Sequence, residues 1–180
     1  MQQDIPRSPS GEKEYERARE ICLRQLSYSA RTRAQLATAM RRRGIEDEIA
    51  ADTLSRFETV GLVDDEAFAA AWVDSRHRGR GVGPRKLAHE LRSRGVDQKL
   101  TAESLGTVTP EEERATARAL IEVRLAGTRG QPAPRRARRL TGILARKGYS
   151  PQVAYDVVRE ALATEGEELT DVIESLPDGD

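Results

Sequence analysis

A helix-ending pattern recurs three times along the 180-residue chain, and it restricts the fold more than any other feature of the sequence. In each copy, two apolar residues four positions apart are followed four positions later by a glycine and then by a nonpolar or aromatic residue. The three copies are Leu36, Met40, Gly44 and Ile45; Leu87, Leu91, Gly95 and Val96; and Leu140, Leu144, Gly148 and Tyr149. Apolar residues at this spacing form a buried stripe on a helix, and a glycine beyond the helix end accepts the left-handed conformation. The glycines lie 51 and 53 residues apart, which predicts an internal repeat.

Further helical patterns lie on both sides of each glycine. Apolar residues recur five and ten positions after it, namely Ile49 and Leu54, Leu100 and Leu105, and Val153 and Val158. Asp97 and Ser150 stand where N-caps of two of these following helices are expected. Each unit is therefore predicted to have a helix after its glycine.

A first helix is also predicted before each middle helix. It runs from about Glu14 to Ser27 in unit one. In unit two it opens at the acidic run 64–66, whose charges suit a helix N-terminus, and in unit three at the capping box 109–112. The inner face of the helix in unit two is predicted to carry Phe68, Ala71 and Trp72. Each unit is thus predicted to consist of helix, helix, glycine and helix.

These patterns predict an all-α fold of three tandem three-helix repeats that form an elongated, curved array. The predicted boundaries are a disordered tail over 1–13, repeats over 14–63, 64–108 and 109–163, and an acidic tail over 164–180. No sustained two-residue alternation of apolar and polar residues occurs, so strands are not expected. Aromatic residues make up only 4% of the chain, which favours several small cores over one large core. The alternative is that generic amphipathic helices share this spacing by coincidence.

Basic side chains concentrate on the middle helix of each unit and on the loop before it. Lys plus Arg and Asp plus Glu both total 30, so the net charge is zero and local charge is what a partner meets. Arginine dominates, and its planar guanidinium suits two-point contact with phosphate or carboxylate. We expect the repeats to align basic patches along one side that faces a polyanion, although a solvated surface is the alternative for any single cluster. The candidate partner- or DNA-binding residues are Arg31, Arg33, Arg41, Arg42, Arg43, Arg78, Arg80, Arg85, Lys86, Arg92, Arg94, Arg135, Arg136, Arg138, Arg139, Arg146 and Lys147.

The C-terminal segment has the opposite charge. Residues 165–180 include acidic side chains and no basic one. Two interpretations are open: a disordered solubilising tail, or a tail that folds over the basic face and competes with its ligand.

Signals for catalysis, metal binding or cofactor binding are weak. The glycine-rich stretch 79–83 lacks the strand and spacing of a dinucleotide fingerprint, and we interpret it as a flexible basic turn whose backbone amides can contact phosphate. His77 and His89, twelve residues apart, are expected on the surface, and Cys22 is expected in the core. The pair 64–65 is explained by helix capping. We therefore predict a protein with no catalytic residue, no metal and no cofactor.

The sequence also favours the cytoplasm. A single cysteine excludes an internal disulfide and is typical of a reducing compartment. No apolar run approaches the roughly 18 residues that span a membrane. The polar segment 1–13 lacks the apolar core of a secretory signal.

Short motifs in the second unit form a combination that is typical of one family. They are Asp64-Asp65-x-x-Phe68-Ala69, then Arg80-Gly81-x-Gly83-Pro84, then Leu87-x3-Leu91-x3-Gly95-Val96. The upstream runs Tyr28-Ser29 to Leu36, Gly44 to Leu54 and Gly61-Leu62-Val63 fit the same pattern. The combination resembles the core of the RecX family over about residues 14–163, with an insertion at 128–134 before the third middle helix.

The resemblance implies a specific function. RecX proteins are non-enzymatic regulators of the RecA recombinase, built from tandem three-helix repeats. It implies binding to the RecA–single-stranded DNA filament along its helical groove. It further implies inhibition of ATP hydrolysis, of strand exchange in homologous recombination, and of SOS repressor cleavage. We expect a monomer that also binds duplex DNA weakly.

Our mechanistic hypothesis is that the basic residues of the three middle helices face the filament and bridge neighbouring RecA subunits. The residues meant are Arg41, Arg42, Arg43, Arg85, Lys86, Arg135, Arg136, Arg138 and Arg139. The alternatives are a stand-alone nucleic-acid-binding helical module without RecA dependence and a helical scaffold for acidic proteins. A small enzyme is a more remote possibility.

Overall fold

The structure of the protein is a computed structural model, and it describes the backbone of residues 9–166 and the side chains of residues 11–166. Over this range the chain forms nine α-helices and one short 3₁₀ turn, and no strand. The helices are α1 Pro9–Tyr28, α2 Arg33–Arg41, α3 Asp47–Thr59, α4 Asp65–Arg80, α5 Pro84–Ser93, α6 Gln98–Leu105, α7 Pro110–Leu125, α8 Ala133–Lys147 and α9 Pro151–Ala163, with the 3₁₀ turn at Ala126–Thr128. The all-α prediction is therefore confirmed, and the order of helices follows the predicted unit three times.

The three repeat glycines have the backbone conformation that the pattern predicted. Their φ angles are +75° at Gly44, +80° at Gly95 and +91° at Gly148. At Gly148, which is the C-cap of α8, the amide donates hydrogen bonds to carbonyl oxygens of the last turn. This region of φ is costly for residues with a Cβ atom, so glycine ends these helices with little strain.

The predicted helix starts are also present. Thr109 and Glu112 form a reciprocal capping box at α7. The Ser150 hydroxyl accepts a hydrogen bond from the amide of Val153 at α9. The carboxylate of Asp97 accepts one from the amide of Leu100 at 2.9 Å. Each cap satisfies an amide that the helix itself leaves unpaired, which typically contributes about 1 kcal/mol.

The first helix begins earlier than the sequence predicted. It starts at Pro9 rather than near Glu14, so the prediction of a disordered tail is wrong from residue 9 onward. Proline is tolerated in the first turn of a helix, and Glu12 adds a favourable charge there. Residues 1–8 and most of the acidic tail, 167–180, lie outside the described residues.

The buried face of α4 also differs from the predicted one. Ala69, Val73 and His77, four residues apart, are the buried positions, whereas Ala71 is exposed and Trp72 is only half-buried. Trp72 stacks on Phe68 with ring centres 5.8 Å apart. The two large aromatic residues suggest a core face that the structure does not use, because a stripe of smaller residues with the same helical period is buried instead.

The chain divides into two compact units. Among the described residues, unit 1 comprises those up to Trp72 together with Leu91–Thr101, and unit 2 comprises Val73–Glu90 together with those from Ala102 onward. The core of unit 1 contains Ile21, Leu36, Met40, Leu54 and Phe57, with Cys22 among them as predicted. Full burial of each such side chain contributes about 2 kcal/mol. The predicted boundaries of the three repeats stay a prediction.

The core of unit 2 is drawn from α7, α8 and α9. It includes Ile121, Leu140, Leu144, Val157 and Leu162, all buried. Both cores contain the leucine pair or leucine–methionine pair of the repeat pattern, which explains why that spacing recurs.

Candidate nucleic-acid and partner interface

The predicted binding residues differ widely in exposure. Eleven of them are exposed: Arg41, Arg42, Arg78, Arg80, Arg85, Lys86, Arg92, Arg135, Arg138, Arg139 and Arg146. Five are half-buried, namely Arg31, Arg33, Arg43, Arg94 and Lys147. The remaining one, Arg136, is buried. The set therefore contains both surface cations and side chains that belong to the packed interior.

Unit 1 gathers four of these arginines around one groove. Arg31, Arg42, Arg92 and Arg94 line a groove of about 440 Å³, together with Ala34, Gln25 and other small or neutral residues. The described residues that line it include no acidic side chain. We call this feature the unit 1 groove. Its arginines come from two separate segments of the chain, whereas a single surface helix presents arginines from one segment only.

The groove is held open by close packing between the start of α2 and the turn that follows α5. The Thr32 hydroxyl donates a 2.6 Å hydrogen bond to the backbone carbonyl of Arg94, and Thr32 is also the N-cap of α2. A Cβ atom on Gly95 would lie 2.2 Å from the Cβ of Ala34, so the two segments touch at that glycine. Thr32 and Gly95 therefore fix where the arginine side chains emerge.

Charge pairing divides the arginines of unit 1 into two groups. Arg33 pairs with Glu58, and Arg41 pairs with Asp47 at 3.3 Å. Neither of these lines the groove. Within residues 11–166, Arg31 and Arg42 have no carboxylate partner, and the Nε atom of Arg31 is buried without a hydrogen bond. Sequence reasoning treated all these arginines alike, because the positions of Glu58 and Asp47 depend on the fold.

Unit 2 brings the turn before α5 against the end of α8. The amide of Gly83 donates to the Lys147 carbonyl at 2.8 Å, and the amide of Arg85 donates to the Gly148 carbonyl at 3.1 Å. The ammonium group of Lys147 donates to the Arg80 carbonyl at 2.8 Å. Two predicted basic segments, 80–86 and 146–147, therefore form one surface, although 60 or more residues separate them in the sequence.

The glycine-rich turn 79–83 uses its amides internally. The amides of Gly81, Val82 and Gly83 donate to the carbonyls of His77, Arg76 and Lys147. They are not free to bind phosphate, so that part of the prediction is wrong. The turn instead shapes the packing: a Cβ atom on Gly83 would lie 2.6 Å from the carbonyl carbon of Gly148.

Arg136 is a correction to the predicted interface. It is 1% exposed, its Nε donates to the Thr128 hydroxyl at 3.0 Å, and its guanidinium pairs with Glu165. It lies four residues before Leu140, so it occupies the same helical stripe as Leu140 and Leu144. That position in the sequence was the signal that could have identified a buried arginine.

Glu165 is the described part of the acidic tail, and it contacts two basic residues. Arg129 donates to it at 2.9 Å, and Arg136 pairs with it from the interior. The hydrogen bonds from Arg136 and Arg129 lower the pKa of Glu165 below its usual value. The hypothesis that the tail covers the basic face concerns mainly residues 167–180, which lie outside the described residues.

Other predicted cations of unit 2 are in ion pairs or on the open face of α8. Arg78 binds Asp74 at 2.7 Å and Glu112 at 3.0 Å. Those pairs are exposed and contribute little stability, because solvent screens them. By contrast, Arg135, Arg138 and Arg139 are exposed, and within residues 11–166 no carboxylate pairs with them.

One of the two histidines and the single cysteine are buried. His77 is 2% exposed, and its Nδ1 lies 2.9 Å from the Val82 carbonyl oxygen. The prediction of a surface histidine is therefore wrong for His77, whereas His89 is exposed as predicted. Burial raises the pKa of the Cys22 thiol to about 11. Its thiolate, the nucleophilic form, is thus disfavoured at neutral pH.

The acidic pair before α4 has structural contacts. The carboxylate of Asp64 accepts a hydrogen bond from the Ala67 amide at 2.8 Å, and that of Asp65 accepts one from the Arg33 amide at 2.8 Å. Among the described residues no group of three potential metal ligands is present. None of the helices over 9–166 has an apolar stretch long enough to cross a bilayer.

The fold and this surface define a class: an all-helical, arginine-rich binding protein built on three-helix units. Family models agree with that class in detail. The model for the second three-helix domain of RecX matches residues 64–105, and the model for the first three-helix domain matches residues 18–57. A protein of Thermobifida fusca (strain YX), named Regulatory protein RecX, is 56% identical over 86% of this chain and 84% of its own length. The chain belongs to the RecX family.

Further relatives extend the same likeness. Regulatory protein RecX of Streptomyces coelicolor is 52% identical over 91% of this chain and 84% of its own length. The crystal structure of RecX from Lactobacillus salivarius has a TM-score of 0.79, with 18% identity over 84% of this chain and 99% of that chain. Its low identity shows the shared fold alone. The suspected family and the all-helical repeat class are therefore confirmed.

Proposed function

We propose that this chain regulates RecA, mainly as an inhibitor, by binding the RecA–single-stranded DNA filament. Membership of a family whose relatives are named regulatory proteins supports a regulatory role. The single observation on which the filament proposal depends is the set of exposed cations just after α2 and on α5 and α8 that have no carboxylate partner within residues 11–166. Such cations suit a polyanion, since desolvating them needs no internal ion pair to be broken.

The proposed contact residues are seven of the eleven exposed members of the original set. They are Arg42, Arg85, Lys86, Arg135, Arg138, Arg139 and Arg146. Arg136 is not among them, because it is buried against Thr128 and Glu165. A chain with several basic three-helix units can engage several positions of a repeating polymer. Weak contacts that are linked in this way strengthen one another through effective concentration.

The proposed mechanism is that the bound chain bridges neighbouring RecA subunits. Bridging restricts the motions and the access that ATP hydrolysis, strand exchange and SOS repressor cleavage require. The role is non-catalytic: it needs affinity for the filament and no nucleophile. We expect the protein to act as a monomer in the cytoplasm, where RecA acts, in DNA repair and homologous recombination.

The test measures RecA ATPase activity on single-stranded DNA with substoichiometric amounts of this protein. The wild-type chain should lower the rate. The variant R85E/K86E should need about tenfold more protein for the same inhibition, equivalent to about 1.4 kcal/mol of binding free energy. Arg85 and Lys86 are exposed at the start of α5, and the hydrogen bond made there uses the backbone of Arg85.

The matched control is R24E/R124E, which changes the net charge equally. Arg24 on α1 and Arg124 on α7 are exposed and lie outside the three basic middle helices. This control should inhibit like the wild type. Equal loss in both variants would mean that only net charge matters, and full inhibition by R85E/K86E would remove these residues from the interface.

The alternative function is DNA binding without RecA. The arginines grouped within unit 1 favour this alternative, since they form a candidate DNA site without a second protein. Binding of labelled single-stranded DNA with and without RecA separates the two functions. If binding is as strong without RecA, and RecA ATPase is unchanged, the alternative replaces the proposal.

A further inference from the structure

The unit 1 groove has features that the surface cations elsewhere lack. We propose that it binds one phosphate of a single-stranded nucleic acid, with room beside it for the attached nucleoside. This deepens the proposed function, since the filament contains single-stranded DNA. Its test, however, uses this protein without RecA, so the two proposals can fail separately.

The first argument is electrostatic. Four arginines line the groove: Arg31 before α2, Arg42 just after α2, Arg92 near the end of α5 and Arg94 in the turn after α5. The described residues that line it include no acid. Like charges that share a confined space repel each other, and an anion between them relieves that repulsion. Guanidinium groups bind phosphate oxygens in a two-point, charge-assisted geometry. A phosphate therefore complements the groove in charge and in hydrogen-bond geometry.

The second argument concerns Arg31. Its Nε is buried and has no hydrogen-bond partner among the described residues. Buried donors in proteins are nearly always paired, and an unpaired one requires an explanation. Arg31 lines the groove, so a turn of its guanidinium toward a bound anion would give this donor an acceptor. Thr32, next to Arg31, caps α2 and donates a hydrogen bond to the Arg94 carbonyl. These two contacts fix the backbone beside Arg31.

The third argument is size. The groove measures about 440 Å³, which falls within the range of about 300–1,000 Å³ for small-ligand sites. That is more than one carboxylate or phosphate fills. Gln25 adds a neutral amide donor and acceptor to the lining. A nucleotide unit uses this space better than an acidic side chain does, because the sugar and base occupy what the phosphate leaves.

A tryptophan that contacts one groove residue provides a spectroscopic probe of the groove. Trp72 is the single tryptophan of the chain, and the guanidinium carbon of Arg94 lies 3.7 Å from the centre of its ring. Arg94 is at once a groove residue and a neighbour of the indole. Displacement of Arg94 toward a bound phosphate changes the surroundings of Trp72. Tryptophan emission should therefore respond to ligands that occupy the groove.

The experiment titrates the full chain with a labelled oligothymidylate at several salt concentrations, following both anisotropy and Trp72 emission. The variants are R42Q and R31K, and the matched control is R24Q, an exposed residue of the same unit that does not line the groove. R42Q should weaken binding about tenfold and reduce the log–log salt slope by about 0.7, the value for one phosphate contact on a single strand. R31K, which keeps the charge but loses the guanidinium, should weaken binding and diminish the emission change. R24Q should leave the slope and the emission change as in the wild type.

Two further ligands identify what the groove binds. Inorganic pyrophosphate and ATP should shift Trp72 emission only at concentrations at least tenfold above those of the oligonucleotide. Saturation by ATP at lower concentrations than the oligonucleotide would overturn the nucleic-acid assignment in favour of a free nucleotide. Equal weakening by R24Q and R42Q would overturn the site altogether, since binding would then follow net charge. R31K and R42Q should unfold at the same midpoint temperature as the wild type. A weaker binding or emission signal then reflects a lost contact and not a lost fold.

Discussion

The two units use the same arginine-rich sequence pattern for different purposes. In unit 1, Arg31 and Arg42 line an acid-free groove, and the structure gives them no carboxylate over residues 11–166. In unit 2, Arg136 is buried with Thr128 and Glu165, and Arg129 holds the same carboxylate. Unit 1 therefore leaves Arg31 and Arg42 available for a ligand, whereas unit 2 uses Arg136 to stabilise its own packing.

Repeat alignment explains the difference at one position. Counting back from the repeat glycines, Thr32, Gly83 and Arg136 occupy equivalent places, and all three are buried. Thr32 caps α2 and binds the Arg94 carbonyl, Gly83 packs closely against Gly148, and Arg136 reaches Glu165. The repeat fixes that this position is buried, while the residue type decides what it contacts. Arginine content alone therefore does not identify an interface.

The largest effect that tests this comparison is expected from Arg136→Ala. Removing one partner of a buried ion pair leaves the other uncompensated and also creates a cavity, so the free energy of unfolding should fall by about 4 kcal/mol. Denaturant unfolding monitored by circular dichroism measures it. The matched variant Arg138→Ala, exposed on the same helix, should change stability by no more than about 0.5 kcal/mol. Equal losses in the two variants would contradict a structural role for Arg136.

The next effect concerns the glycines that end α2 and α8. A Cβ atom on Gly148 would lie 2.6 Å from the Lys86 backbone nitrogen, whereas one on Gly44 would meet no atom within 4 Å. Both have positive φ angles, so Gly44→Ala should cost only backbone strain, about 1 kcal/mol. Gly148→Ala adds a steric clash and should cost about 3 kcal/mol. Denaturant midpoints compare the two variants, and equal costs would show that the packing of Gly148 adds nothing.

The sequence predicted what depends on periodicity and on local caps. The helical order, the glycine conformations at 44, 95 and 148 and the caps at Thr109, Ser150 and Asp97 all follow from neighbouring residues. These features are local, because a helix end requires only the residues within one turn of it. The family resemblance rested on the same local motifs.

The sequence could not predict features that depend on distant partners. His77 is buried because it lies on the same helical stripe as Ala69 and Val73. Its polar ring is not what an apolar stripe predicts, so the sequence did not identify it as buried. Arg33 and Arg41 are paired with Glu58 and Asp47, which only the packed helices bring close. The unit 1 groove joins residues 31–42 to residues 92–95, which no spacing rule connects. Which arginines remain available is therefore a property of the fold.

The smallest effect concerns pH and is confined to unit 2. Hydrogen bonds from Arg136 and Arg129 lower the pKa of Glu165 in the folded state below its ordinary value of 4.5. The folded chain thus binds this proton less readily than the unfolded chain. The resulting stabilisation is complete above about pH 5 and is lost as the pH falls below 4.5 through the lowered folded-state pKa.

Glu165→Gln should therefore show a shallower decline of unfolding temperature between pH 5 and lower values than the wild type. Glu122→Gln, exposed on α7, is the control and should follow the wild-type profile. Thermal unfolding followed by circular dichroism at several pH values measures all three proteins. Arg42 of unit 1 has no carboxylate partner within residues 11–166, so the R42Q profile should follow the wild type at every pH. An identical pH profile for Glu165→Gln and the wild type would show that the buried arginine does not depend on this carboxylate, and the contrast between the two units would then rest on burial alone.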